Sequence, residues 1–319
     1  MRTGGILLGV ALLLALVAGP AEAQGIDVLV QRCVDSGSSP SGCAEAAATS
    51  RALLGQLGLL ASLGAPVPGA TSALGRRLER TPRVALSTRL GGVQLRLPDL
   101  TDRGNASARV LKIFVPTWHG SITVGVFDGF RVMPTVGGFL SLDIIGQTSA
   151  TFLPTAEGFD GKLGSLSLGA RVGILRESFT LPGVTLSVQK HLMGGVRLAD
   201  ATLGDRAQVE IEPATTSYRL TVGKDLLSVG LLVGIGWDAY SASTTLITHA
   251  AAGLLASTSE LEASRKLMFG GASLSFLVLQ LSLEAGWAEG FSSVPGYTGA
   301  PFDVSKGSIF GSLSARLTI

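Results

Sequence analysis

Runs of about ten residues in which apolar side chains alternate with polar or small ones recur along this chain, and that period of two restricts the fold more than any other feature. From 164 to 175 one face reads Leu166, Leu168, Ala170, Val172 and Ile174, and the other Ser165, Ser167, Gly169, Arg171 and Gly173. From 227 to 237 the apolar set is Leu227, Val229, Leu231, Val233, Ile235 and Trp237, with Leu232 the one exception opposite it. The stretches 279–287 and 184–191 repeat the pattern. Further strands are expected at 84–97, 109–115, 122–132, 138–147, 207–211, 217–223, 268–278 and 308–319, with a bulge where Gly91-Gly92 shifts the alternation. These lengths approach the 9–11 residues of a tilted membrane-spanning strand and exceed the roughly 5–6 of most soluble strands.

Composition decides which kind of β protein this is. The chain is 46% hydrophobic and 15% charged, yet beyond its first residues it holds no second helical span. The strongest later stretch, 226–237, is short and broken by Gly230, Gly234 and Gly236. A soluble sandwich would also alternate, but the polar faces here are small and sparse in charge, unlike a solvated exterior. An all-β, antiparallel transmembrane β-barrel of about 12–14 strands over residues 81–319 accounts for both facts, with one face toward hydrocarbon and the backbone bonds closed around a ring. Its lipid-facing surface makes outer-membrane lipid the first partner.

The N-terminus sets the compartment. Arg2, an apolar run from Ile6 to Val17, Gly19-Pro20 and Ala21-Glu22-Ala23 form a secretory signal peptide, residues 1–23, cleaved before Gln24. Residues 24–80 differ from the rest. Two helix-compatible stretches, 26–34 and 44–63, flank the turn Ser39-Pro40-Ser41-Gly42, and Gly55, Gly58 and Gly64 loosen the second. Cys33 and Cys43, in an exported chain, read as a disulfide pinning that hairpin. The segment is expected as a plug in the lumen, a periplasmic cap or a loosely attached extension.

The last strand ends the sequence on Leu313, Ala315, Leu317 and Ile319 alternating with Ser312, Ser314, Arg316 and Thr318. It resembles the C-terminal signal of bacterial outer-membrane proteins, which implies the barrel-assembly machinery as a partner; Ile319 stands where an aromatic residue is usual. A helical N-terminal segment followed by about 14 strands is similar to the long-chain fatty-acid transporter family. That family's Asn-Pro-Ala-like turn is missing, since Asn105 is the only Asn and Val67-Pro68-Gly69-Ala70 is a loose substitute. No substrate-binding residue carries over.

Loops are expected at 99–106, 154–162, 198–206, 241–265 and 291–306, with a short helix in the Ala- and Leu-rich 250–261. The face assigned to the lumen carries few ionisable groups: Arg89, Asp143, Arg171, His191, Arg219, Asp238, Glu284 and Arg316. They either pair across strands or line a path for solute. His119-Gly120-Ser121 has the two-residue spacing that puts a His and a Ser on one side of a strand, as in outer-membrane phospholipases, but lacks an orienting third group and follows what reads as a turn, Pro116-Thr117-Trp118. No metal or cofactor is expected, because the histidines are dispersed. A net charge of +2 with scattered signs gives no case for nucleic acid. The expectation is therefore a non-enzymatic barrel passing a small solute, hydrophobic ones included, passively, as a porin does. The alternative is a structural or interaction barrel binding a partner through its long loops.

Overall fold

The computed structural model describes residues 25–75, 81–101, 109–130, 138–297 and 302–319. The expected signal, residues 1–23, lies outside them, as does most of the loop expected at 99–106. Two helices come first, α1 (Ile26–Asp35) and α2 (Pro40–Ala61). The strands are β1 (Val84–Pro98), β2 (Val110–Phe127), β3 (Ser141–Phe152), β4 (Lys162–Leu175), β5 (Gly183–Met193), β6 (Val196–Leu198), β7 (Ala207–Leu226), β8 (Val229–Ala250), β9 (Gly253–Phe276), β10 (Leu279–Ala288) and β11 (Ser308–Thr318). All ladders are antiparallel. β5 pairs with β7, and β11 pairs back onto β1 from Ala85 opposite Thr318 to Val93 opposite Phe310, so ten strands close a ring and β6 lies beside it.

Ten strands replace the expected 12–14 because two pairs of predicted segments are single strands. Pro116 and Pro213 look like breaks in the sequence. Each sits where its strand has lost a neighbour on one side: Pro116 is one residue beyond the β3 ladder, which begins at Thr117, and Pro213 falls between the β5 ladder ending at Ala214 and the β6 ladder starting at Ile211. A residue with no N–H is tolerated there. A ring of ten also departs from the strand number implied by the fatty-acid transporter resemblance. The bulge expected at Gly91-Gly92 is absent, since β1 stays in register with both neighbours; the irregularities lie at Gly125/Phe127 and Gly173/Leu175 instead.

Residues 241–265, expected as a loop with a helix, are the upper halves of β8 and β9, joined by a tight turn at Ala251-Ala252. The two strands run to 22 and 24 residues, about twice what a span requires. The extra length rises roughly 25 Å beyond the hydrocarbon as a polar crown. At the opposite end β7–β8 and β9–β10 are joined by two-residue turns, with Leu227 and Leu277 at positive φ (60° and 54°), and the C-terminal strand stops there too. Connections at this end vary from two residues to the longer β2–β3 segment, but β7, β8 and β9 extend beyond the apolar belt only at the other end, so the crown is assigned to the external mouth and this end to the periplasmic one.

The outward face is apolar around the ring. Leu90, Leu168, Leu283 and Ile309 are 62%, 68%, 62% and 71% exposed, a cost water would impose and hydrocarbon removes. The belt ends on named residues. On β7 it runs Val222, Leu220, Tyr218 and then reaches Glu212 and Glu210; on β9 it runs from Met268 to Lys266, Glu262 and Glu260. Tyr218 and Trp237 stack at 5.3 Å near that rim, as interfacial aromatics do.

Leu168→Arg, in mid-belt, should cost about 2–4 kcal/mol, whereas Glu212→Arg in the crown should cost under about 1 kcal/mol. Guanidinium titrations followed by tryptophan fluorescence in lipid vesicles check the difference.

Candidate functional site

The inward face of the barrel holds the chain's own N-terminal segment. A ring of ten strands is only a little wider than the eight-stranded barrels that side chains alone can fill. One helix about 10 Å across therefore occupies the lumen, provided its side chains are small. α2 meets that condition with Ala44, Ala46, Ala47, Ala48 and Ala52. From Cys43 to Ala61 every residue of α2 is buried, the polar Glu45, Thr49, Ser50, Arg51 and Gln56 among them. Leu53, Leu54, Leu57 and Leu60 pack in one cluster with Val93, Leu95, Val115, Leu246, Phe291 and Phe310 from the wall and the 291–306 loop.

The glycines of α2 admit wall rings and do not loosen the helix. A Cβ on Gly58 would lie 2.2 Å from Cε1 of Tyr240, and one on Gly55 would lie 2.1 Å from Cε2 of Phe291. Gln56 donates to Ser308 Oγ at 2.7 Å, leaving its Oε1 buried without a partner, and Arg51 donates to Ser292 Oγ of the loop at 2.9 Å.

Below Ala61 the plug continues as coil to residue 75, and here the charged side chains gather. Arg219 donates to Asp238 Oδ1 (2.5 Å), to the carbonyl of Ser62 (2.9 Å) and to that of Gly64 (3.3 Å). Asp238 in turn accepts from Ser62 Oγ and from the Tyr240 hydroxyl, each at 3.0 Å. Arg265 donates to the Tyr240 oxygen (2.7 Å) and to the Gly55 carbonyl (2.6 Å). Arg89 donates to the carbonyls of Leu63 and Ala65 and lies 3.6 Å from Glu284, which accepts from the Ala65 N–H at 3.1 Å. Gln147 donates to the Ala61 carbonyl at 3.2 Å. Five successive carbonyls, from Ala61 at the last residue of α2 to Ala65 in the coil that follows, are thus bonded by the wall.

A second tier lies nearer the periplasmic mouth. Arg171 donates twice to Asp143 Oδ2 (3.0 and 2.7 Å), and Asp143 accepts the N–H groups of Leu74 and Gly75 at 3.0 and 3.2 Å. Thr71 donates to Glu177 (2.5 Å) and to Asp225 (3.0 Å). Arg316 donates to Gln280 in this tier, whereas His191 lies higher, opposite Thr215 and so level with Tyr240, and contacts Ser217 Oγ at 3.1 Å. All eight charged or titratable residues singled out from the sequence therefore lie on the lumen side; five of them bond the plug directly, and Arg171 holds one of those five. Arg265 and Tyr240 are the residues sequence reasoning missed or misplaced, because Arg265 lay in the supposed loop. His119 sits within β2, not after a turn, and faces Gln147 (3.0 Å), while Ser121 bonds Ser87 at 2.6 Å. Among the described residues no three His, Cys, Asp or Glu side chains converge as metal ligands.

At the external mouth the Cys33–Cys43 disulfide, with Cα atoms 5.7 Å apart, ties α1 to α2. Above Leu267 the edge of β9 has no strand neighbour, since β10 ends at Ala288 opposite that residue. α1 covers this edge: Arg32 donates to the Thr258 carbonyl at 2.5 Å, and Gly25 lies against the Glu260 carbonyl. Ser38 bonds Thr248 Oγ1 at 2.8 Å, and Arg206 pairs with Glu45 at 2.8 Å.

Arg219→Ala removes the partner of a buried carboxylate and the bonds to two plug carbonyls and to that of Tyr218 at once, and should cost about 3–5 kcal/mol. Gly58→Ala should cost about 1–3 kcal/mol through overlap with Tyr240. Both should make residues 40–75 sensitive to limited proteolysis in a barrel whose strands stay protected.

The sequence matches no protein-family profile and no curated protein. Among solved structures, the translocator domain of the autotransporter NalP from Neisseria meningitidis is 12% identical with a TM-score of 0.41, over 74% of this chain and 88% of that one. The outer membrane protease OmpT from Escherichia coli is 11% identical with a TM-score of 0.40, over 75% and 96%. The transport unit of the autotransporter AIDA-I from Escherichia coli is 10% identical with a TM-score of 0.37, over 84% and 99%. The expectation of a non-enzyme is corrected at this point, since a protease is among the similar barrels. The fold, established by its own closed ladder, is that of the bacterial outer-membrane β-barrels.

Proposed function

We propose that this chain is exported by a signal cleaved after residue 23, inserted into the outer membrane by the barrel-assembly machinery, and works there as a closed barrel that presents an interaction surface outside the cell. The observation that carries this reading is the complete burial of residues 43–61 inside the ring. The carbonyls of 61–65 held by wall side chains support it. Passive passage of a small solute, the expectation from sequence, requires residues 40–75 to leave the lumen, and that breaks the buried contacts of Arg89, Asp143, Arg219, Asp238 and Glu284 together.

The interaction surface falls to the crown, where β7, β8 and β9 stand clear of the lipid. Its outer face carries Glu210, Glu212, Ser243, Thr245, Glu260 and Glu262. A cleft of about 410 Å³ opens there between β6, β7 and the 154–161 loop, lined by Asp160, Arg197, Glu210, Glu212, Ser243 and Thr245. A rigid ladder holds these side chains in place at lower conformational cost than a free loop would.

Planar-bilayer recording tests the closed state. The purified full chain should show no steady conductance, while the Arg89→Ala/Arg219→Ala double variant, still heat-modifiable on gels, should open to sustained currents. A steady open channel from the unaltered protein with its plug protected from protease would overturn the reading.

A further inference from the structure

The direction in which the plug runs through the barrel carries an inference about the N-terminal hairpin. β1 starts at the periplasmic mouth, beside the C-terminus, where Val84 accepts from the Ile319 N–H. Going backwards from β1, the chain bonds Asp143 at Leu74 and Gly75, then Glu284 at Ala65 and Asp238 at Ser62, packs on Tyr240 at Gly58, and bonds Arg265 at Gly55 and Thr248 at Ser38. On β8 alone, Asp238, Tyr240 and Thr248 are met in ascending order toward the crown. Residues 25–39 therefore lie at the mouth opposite the one where β1 begins. Ser38 pairs with Ala250 at the very tip of β8, and Gly25 and Arg32 meet β9 at Glu260 and Thr258. Glu260 is six residues above Lys266, where the apolar belt ends, which is roughly 20 Å along the strand.

We propose that the hairpin of residues 25–39 is displayed on the external side of the outer membrane, so that the barrel serves as the carrier that takes its own N-terminal segment across. This rests on the closed-lumen reading above and on the crown marking the outside. Three features support it. The plug runs from mouth to mouth without doubling back. α1 is bonded to the crown edge, not to the periplasmic turns. Its outer face presents Asp27, Val28 and Gln31 exposed, while Ile26, Leu29 and Cys33 are buried against the barrel. Because α2 fills the ring, the hairpin reaches the far mouth before the plug is seated. The Cys33–Cys43 bond then makes it two helices wide, too wide to slip back through a ring that one helix fills.

Single cysteines in the full-length protein, with the native disulfide retained, test the topology by labelling with a membrane-impermeant maleimide. Asp27→Cys on α1 and Ala251→Cys at the β8–β9 tip should react in intact cells, and Thr180→Cys, between β4 and β5, only once the outer membrane is permeabilised. Only heat-modifiable protein is scored, and Gln31→Cys repeats the measurement on the same face of α1. Labelling of Asp27→Cys and Gln31→Cys only after permeabilisation overturns the proposal, even if Ala251→Cys reacts outside. Reaction of Thr180→Cys in intact cells with Ala251→Cys protected overturns it by inverting the barrel. Neither result alters the conductance expected of the plugged barrel, so failure of the topology and failure of the closed lumen are told apart.

Discussion

The end of α2 is the point on which the rest of this structure depends. Where the chain leaves α2 inside a closed ring it carries carbonyls that water cannot reach, and each such group costs about 1–3 kcal/mol if left unbonded. Here Arg89 and Arg219 supply the donors for residues 62–65, and Gln147 supplies the one for Ala61. The guanidinium charges face the negative end of the helix dipole and are balanced by Glu284 and Asp238. Those carboxylates accept in turn from the plug, at the Ala65 N–H and the Ser62 hydroxyl. Buried ion pairs often stabilise little on their own, because desolvation offsets the attraction. In this lumen the plug backbone adds bonds to both pairs, although Arg89 Nε and Glu284 Oε1 stay buried without a partner.

The same wall faces two solvents. Outward, hydrocarbon accepts leucines that water would reject; inward, a helix of alanines and leucines fills the upper lumen and a polar coil the lower. That division explains the unusual polar faces of the strands, which are dominated by Ser, Thr and Gly with a few charges. They have neither to dissolve in water nor to line an open channel; they have to fit closely around a chain. Where the wall rises above the lipid, on β7, β8 and β9, the outward residues turn to Glu, Ser, Thr and Lys, while the inner face still packs against the hairpin and the top of α2.

Much of this was legible from the sequence, for a simple reason. Wherever one face meets lipid and the other does not, the contrast between alternate residues is large, and the parity of each position can be read directly. Arg171 opposite Leu168 and Val172, or Glu284 between Leu283 and Ala285, needs no tertiary information to be placed on the inner side. The reading failed where that contrast fades. Along 241–265 the outer face is Ser, Thr and Glu and the inner face includes Thr and Ser too, so strand and loop look alike. It failed also at Pro116 and Pro213, which break a strand only if both sides need bonding, and at Gly55 and Gly58, whose reason for being glycine lies on distant rings.

What the sequence by itself determined is therefore the class of wall: an antiparallel, lipid-facing barrel with a sparse charged interior and a separate, helix-prone N-terminal segment. That much is local, because alternation and composition act over a few residues. Only the tertiary structure decided that the ring has ten strands, that its lumen is occupied, and that the occupant spans the lumen from the crown to the start of β1. Those are matters of closure and threading. They depend on which strand ends lose their neighbours and on whether one helix, carrying glycines opposite Tyr240 and Phe291, fits the width of the ring.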